Sequence, residues 1–129
     1  NTFAQYGVAA AYENPAYTDK WFVIYNQRRN AIFDALQGIP GVGASMPEGG
    51  FYHWVNIAEL GTSLEVVKHL VSTQQLGVSP GTWFGDAGEG YIRVMYGSNG
   101  RDEIFNEGVS RLAAGLRSLA ESKGLSAAA

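Results

Sequence analysis

From Asn14-Pro15 to Gly38 the chain runs without another helix breaker. A proline at a first helical position has its φ already set and gives up an N–H that finds no partner there, so Asn14-Pro15 reads as a start and Gly38 as a stop. Between them Trp21, Phe22, Tyr25, Ile32, Phe33 and Leu36 recur at helical spacing, with Arg28 and Arg29 among them. This pattern predicts an amphipathic helix of about 20 residues, roughly 30 Å long and close to the full width of a small domain. Such an element dictates what can pack on it, and it is long enough to reach past its own core.

The remaining residues must build one core against that helix. With 129 residues, 46% of them apolar and 16% charged, the chain suits one compact domain and is too short for two ordinary ones. It has no cysteine, which removes disulfide scaffolds, thiolate metal sites and cysteine nucleophiles together. Nine Lys plus Arg against 12 Asp plus Glu leave a formal net charge of −3, and no basic run exceeds Arg28-Arg29. Neither nucleic acid nor an anionic membrane is an expected partner. No stretch approaches the ~18 continuous apolar residues of a membrane span, and no basic segment precedes an apolar leader. Residue 1 is Asn and the only methionines are Met46 and Met95, so the sequence reads as a piece of a longer chain.

Around the long helix the pattern alternates. Thr2-Tyr12 is Ala-rich and predicts a short helix. Val42-Met46 predicts a short strand before the turn Pro47-Glu48-Gly49-Gly50, and the aromatic, β-branched run Phe51-Ile57 predicts another. Thr62-Ser63-Leu64-Glu65 matches a capping box, opening a helix over about Ser63 to Gln75 that ends near Gly77. Ser79 to Gly90 reads as a loop, Tyr91-Tyr96 as a strand, and Asn99 as the cap of a last helix to about Lys123. The fold class that follows is α/β, as an α+β two-layer sandwich: a small, mostly antiparallel or mixed sheet with helices on one face.

Several motifs invite a chemical reading. Gly77-Val78-Ser79-Pro80-Gly81 satisfies the pattern of a hydrolase nucleophile elbow. In an elbow the residue after the serine donates its N–H to the oxyanion, and here that residue is a proline without one, so an ordinary loop is the better account. Neither glycine cluster, Gly38 to Gly43 or Gly85 to Gly90, has the spacing of a nucleotide cradle. His53 and His69 lack metal-ligand spacing and read as packed or surface histidines, and no metal site is expected. Asp86 and Glu89, in a Gly-rich turn, read as solvated carboxylates. Arg93 is different. Alternation puts Ile92, Val94 and Tyr96 on one face of its strand and leaves Arg93 between Tyr91 and Met95 on the other. That position suits either bidentate capture of a carboxylate or a structural ion pair with an acidic side chain.

An ordered set of segments then resembles a known family. Tyr25-Asn26-Gln27-Arg28-Arg29-Asn30, Pro40-Gly41-Val42, Pro47-Glu48-Gly49-Gly50-Phe51-Tyr52, Leu76-Gly77-Val78 with Pro80-Gly81 and Phe84-Gly85, and Tyr91-Ile92-Arg93-Val94 together resemble the C-terminal part of class I/II aminotransferases, which are pyridoxal-phosphate enzymes. The resemblance runs from about Gln5 to Leu119 and implies the family's small domain. Residues 1–13 would then end a large-domain or linker helix, 14–125 form the small domain, and 126–129 be a frayed tail.

By that resemblance Arg93 binds the substrate's α-carboxylate, and Trp83 or Phe84 meets the substrate side chain. The longer parent would be a cytoplasmic homodimer that moves an amino group between an amino acid and a 2-oxo acid, its missing large domain holding pyridoxal 5'-phosphate. The family's Schiff-base lysine follows a Ser or Thr three residues earlier; Lys20 follows Tyr17, Lys68 follows Glu65 and Lys123 follows Ala120 at that spacing. None matches, so no catalytic or cofactor-binding residue is expected in this segment, and the segment alone is expected to be inactive. Two rival readings share the fold: another pyridoxal-phosphate reaction, such as that of a β-lyase, decarboxylase or cyclopropane-forming synthase, or a catalytically inactive free-standing binding module.

Overall fold

Alternation along two strands decides which side of the sheet becomes core. The computed structural model describes residues 1–97 and 101–126. Strands β2 (Tyr52–Asn56) and β4 (Tyr91–Met95) pair antiparallel at the centre of a four-stranded sheet, with Trp54 opposite Arg93 and Val55 opposite Ile92. Strand β1 (Gly43–Ala44) flanks β2 and strand β3 (Ser79–Pro80) flanks β4, giving the order β1-β2-β4-β3 with every pairing antiparallel. On the inner face His53, Val55, Ile57, Ile92, Val94 and Tyr96 are buried, while their neighbours on the outer face are at least partly exposed. The period of two in the sequence is therefore the boundary between core and surface.

The edges are shorter and more irregular than the sequence predicts. The strand expected over Val42-Met46 contracts to two residues, and the loop expected from Ser79 to Gly90 contains β3 and two 3-10 turns, Gly81–Phe84 and Asp86–Gly88. Pro80 lacks the N–H that a continued ladder would need, which confines this segment to a brief edge pairing.

Three helices cover the inner face. Helix α2 (Pro15–Leu36) buries Arg28, Ile32 and Leu36 in its second half, whereas Phe22 and Val23 in its first half are 69% and 55% exposed. The short helix α1 (Thr2–Tyr12) before it buries no residue. Helix α3 (Ser63–Gln74) opens with the expected capping box: Thr62 N–H donates to Glu65 Oε2 at 2.9 Å, and Glu65 N–H to Thr62 Oγ1 at 3.3 Å. It ends at about the expected place, where Gln75 turns left-handed with φ 52° and Leu76 N–H closes back on the Leu70 carbonyl at 3.2 Å.

Helix α4 (Asp102–Ser122) packs Leu112, Leu116 and Ala120 into the core and meets α3 closely at Gly115. A Cβ there would stand 2.6 Å from Leu70 Cδ2 and 2.8 Å from Gln74 Cγ. Asn99, the expected cap, lies outside the described residues. Asp102 and Glu103 stand in the first turn of α4, where acidic side chains favour the helix dipole. The start of α4 is also tied to α2, since Arg28 Nη2 donates to Asp102 Oδ1 at 2.8 Å and its guanidinium carbon lies 4.9 Å from the Phe105 ring centre.

His53 is the polar side chain at the centre of this core. It is fully buried, its ring lies 5.4 Å from that of Tyr96, and Nε2 is 2.9 Å from the Arg29 carbonyl. Burial holds its pKa below the ordinary 6.5, and backbone groups of Arg29 and Ser45 oppose that only in part. The unfolded chain therefore takes up this proton more readily. Stability is expected to fall as pH drops below about 6.5 and to level off once the buried ring is itself protonated. Urea midpoints at about pH 7.5 and about pH 5 should differ more for the wild type than for His53→Gln, which keeps a donor toward Arg29 but does not titrate. Equal losses in both proteins would assign the pH dependence to other groups.

Candidate functional site

The outer face of the sheet carries an arginine framed by aromatic rings. Arg93 leaves the middle of β4 beside Trp54, its cross-strand neighbour on β2. Its guanidinium carbon is 4.2 Å from the Tyr52 ring centre and 4.3 Å from the Phe84 ring centre. Two ring contacts fix the plane of the guanidinium and restrict the rotation that a free arginine would have. Trp54 extends the aromatic surface, stacked on Tyr91 at 5.6 Å between centroids and edge-on to Phe84 at 5.7 Å.

The hydrogen-bonding capacity of this arginine is largely unspent. Nη2 donates to Ser79 Oγ at 3.5 Å, and buried Nε has no hydrogen-bond partner. Among the described residues no carboxylate pairs with Arg93, so the structural ion pair left open by the sequence finds no acidic partner. A part-buried guanidinium held flat with donors to spare is suited to a planar bidentate anion such as a carboxylate. Beside it, past the short β3, a cavity of ≈ 430 Å³ is lined in part by Ser79, Arg93, Met95, Phe105 and Val109.

Phe84 reaches Arg93 because the segment after β3 is pinched shut. Gly81 and Gly88 meet backbone to backbone: a Cβ on Gly81 would lie 2.0 Å from the Gly88 carbonyl oxygen, and one on Gly88 would lie 2.1 Å from that of Gly81. No other residue type fits either position without opening the loop. Phe84 stands between them, at the end of the first 3-10 turn, and Gly85 continues at φ 113°, a conformation that side chains disfavour. The far end of the loop is fastened by Glu89, whose carboxylate accepts from Ser63 N–H at 2.7 Å and Gly90 N–H at 2.8 Å. Those two backbone donors hold the Glu89 carboxyl below the usual glutamate range.

Of the residues singled out by sequence, Arg93 and Phe84 come together, whereas Trp83 is 73% exposed and turned away from that contact. Glu89, read as solvated, is exposed, and its carboxylate is also hydrogen-bonded to the start of α3. Ser79, the residue of the rejected elbow, faces Arg93. Tyr91 shares the face of Arg93 as alternation predicts, whereas Tyr52 and Trp54 were not anticipated as its neighbours; their signal was the register of β2 on β4, which alternation within each strand does not supply. No lysine lies on the outer face of the sheet. Lys20 is on α2, with Nζ 5.8 Å from the Trp21 ring centre, Lys68 is on α3, and Lys123 caps the end of α4.

Comparison with known proteins decides the family. The aspartate aminotransferase of Pyrococcus horikoshii is 38% identical over 76 residues, spanning 58% of this chain and 19% of that protein. The LL-diaminopimelate aminotransferase of Oleidesulfovibrio alaskensis is 38% identical over 90 residues, spanning 70% of this chain and 22% of that protein. The solved structure of an aromatic aminotransferase from Pyrococcus horikoshii superposes with a TM-score of 0.70 at 30% identity, covering 78% of this chain and 27% of that one. The chain belongs with the aminotransferases. No family model matches it, and it spans only about a fifth of the two curated aminotransferases just named. As an aminotransferase segment it shares the overall α/β fold of that solved structure, a four-stranded sheet with helices on one face.

The Gly81 and Gly88 contact yields a direct expectation. Gly81→Ala should lower stability by about 2 kcal/mol or more, since the new methyl group meets backbone that has no room to yield. It should also reduce the near-ultraviolet dichroism of the aromatic cluster that the loop completes. A thermal midpoint and spectrum equal to those of the wild type would show that the loop is not closed this way.

Proposed function

We propose that this chain is the small domain of a pyridoxal-phosphate-dependent aminotransferase, and that Arg93 is the anchor for the substrate's α-carboxylate. The observation that carries the proposal is the state of Arg93: planar between Tyr52 and Phe84, without an acidic partner among the described residues, and with buried Nε unsatisfied. A carboxylate arriving there exchanges water for a charge-assisted fork of hydrogen bonds. Because the guanidinium is already fixed, little rotamer freedom is lost on binding.

In this reading residues 14–125 form the domain and residues 1–13 end the segment that leads into it. The exposed α1 supports that division, since it buries no residue. The rest of the protein, together with a second subunit, would hold pyridoxal phosphate and complete the site. An amino acid and a 2-oxo acid are the substrates, and the cytoplasm is the compartment we assign by family likeness. Among the described residues no helix is long and apolar enough to cross a membrane.

The chain's own residues then do two things. Arg93 binds and orients the substrate by its carboxylate, turning a free collision into a fixed approach. Movement of the domain carrying Arg93 and Phe84 over bound substrate closes the cleft and excludes water. Phe84, edge-on to Trp54, gives the substrate side chain an apolar wall near the anchor.

In the full-length protein, Arg93→Leu should raise the KM for the amino acid by roughly 100-fold, the loss typical of removing one partner from a buried charged hydrogen bond. Cofactor absorbance should be unchanged, because the variant does not touch the cofactor's binding groups. Wild-type kinetics in Arg93→Leu would overturn the assignment.

A further inference from the structure

The loop that carries Phe84 is tied at both ends to a single buried residue. Ser63 opens α3 and is fully buried. Its backbone N–H donates to Glu89 Oε1 at 2.7 Å, its hydroxyl donates to Glu89 Oε2 at 3.3 Å, and the same hydroxyl lies 3.4 Å from Thr82 Oγ1. Gly90 N–H donates to Glu89 Oε1 at 2.8 Å. Thr82 stands just before Phe84 and Glu89 closes the loop after it, so one serine holds both arms. The Gly81 and Gly88 backbones close the waist between them.

Two carboxylates share the free N–H groups at the start of α3. Glu65 takes that of Thr62 from within the helix, whereas Glu89 takes that of Ser63 from 26 residues away in sequence. A local side chain is enough to cap a helix. The distant one adds something a cap does not need: a rigid link between α3 and the loop that presses Phe84 on Arg93. The backbone donors of Ser63 and Gly90 also favour the ionised carboxylate at neutral pH.

We propose that Glu89 is a positioning residue for substrate binding: it pins the end of the 81–90 loop to α3, so that Phe84 holds the Arg93 guanidinium in the plane that receives the carboxylate. This rests on the reading of Arg93 as the carboxylate anchor. Released from Glu89, the loop relaxes, Phe84 leaves the guanidinium face, and Arg93 regains rotamers that it must lose again on binding.

The test compares four variants of the full-length holoenzyme, using the L-amino acid that the wild type turns over fastest with 2-oxoglutarate as acceptor. Glu89→Ala should raise the KM for that amino acid about tenfold while kcat stays within about twofold, the signature of a carboxylate anchor less well prepared to bind, lost equally from the ground and transition states. Glu89→Gln, whose amide oxygen still accepts one N–H, should recover part of the loss. Glu65→Ala breaks the capping box of the same helix without touching the loop, so it should lower the melting temperature and leave KM unchanged. Arg93→Leu reports on the anchor itself.

If Glu89→Ala keeps the wild-type KM while Arg93→Leu raises it, the positioning role is wrong and the anchor stands. If Glu65→Ala raises KM as much as Glu89→Ala, Glu89 merely stabilises α3. If Arg93→Leu leaves KM unchanged, the anchor reading fails and the positioning role falls with it. Should Glu89→Ala not fold, as judged by lost cofactor absorbance, Glu89→Gln decides: a KM raised about threefold supports the proposal, and an unchanged KM overturns it.

Discussion

The pairing of β2 with β4 is the constraint on which the rest of this structure depends. With Trp54 opposite Arg93, the arginine, Tyr52, Trp54 and Tyr91 all stand on one face, while His53, Val55, Ile92 and Val94 stand on the other. Side chains alternate with a period of two, so a slip of one residue would carry an arginine into the core and expose aliphatic surface to water. The buried aliphatic residues set the register, and the register in turn assembles the aromatic frame. Core packing and site geometry are thus two consequences of one alignment.

That alignment lets the two faces serve different ends. The inner face is sealed by the second half of α2, by α3 and by α4, which is bound to α2 through Arg28 and Asp102 and drawn close to α3 at Gly115. The outer face keeps an arginine with a buried, unsatisfied Nε. A group left this way is costly in a region that only needs to fold, and it is repaid when an acceptor arrives. The 81–90 loop adds the second side of the frame, and its two facing glycines and the Glu89 to Ser63 link show how firmly Phe84 is placed.

Much of the fold was legible in the sequence because it rests on local rules. Pro15 and Gly38 bracket the long helix, Thr62 and Glu65 form the box they spell, and the alternation around Arg93 assigns its face correctly. Where the reading fell short, the cause was distant partners. Pro80 marks a loop by composition, yet its neighbour Ser79 finds β4 across the sheet. Glu89 looks solvated within its own turn, and only the fold brings it to Ser63. In the same way the sequence singles out Arg93 and Phe84 separately, but the sandwich they form with Tyr52 requires the strand register and the loop closure together.

The central claim is that Arg93 receives a substrate carboxylate, and side-chain nuclear magnetic resonance reads that event at the atom concerned. With arginine labelled in the full-length protein, the Arg93 Nε–H signal is identified by its disappearance in Arg93→Leu, and the protein is titrated with amino acid and with the corresponding amino-acid amide. The account predicts a saturable shift of that signal with the carboxylate and little or none with the amide. A signal that stays in place while the amino acid saturates turnover would contradict it.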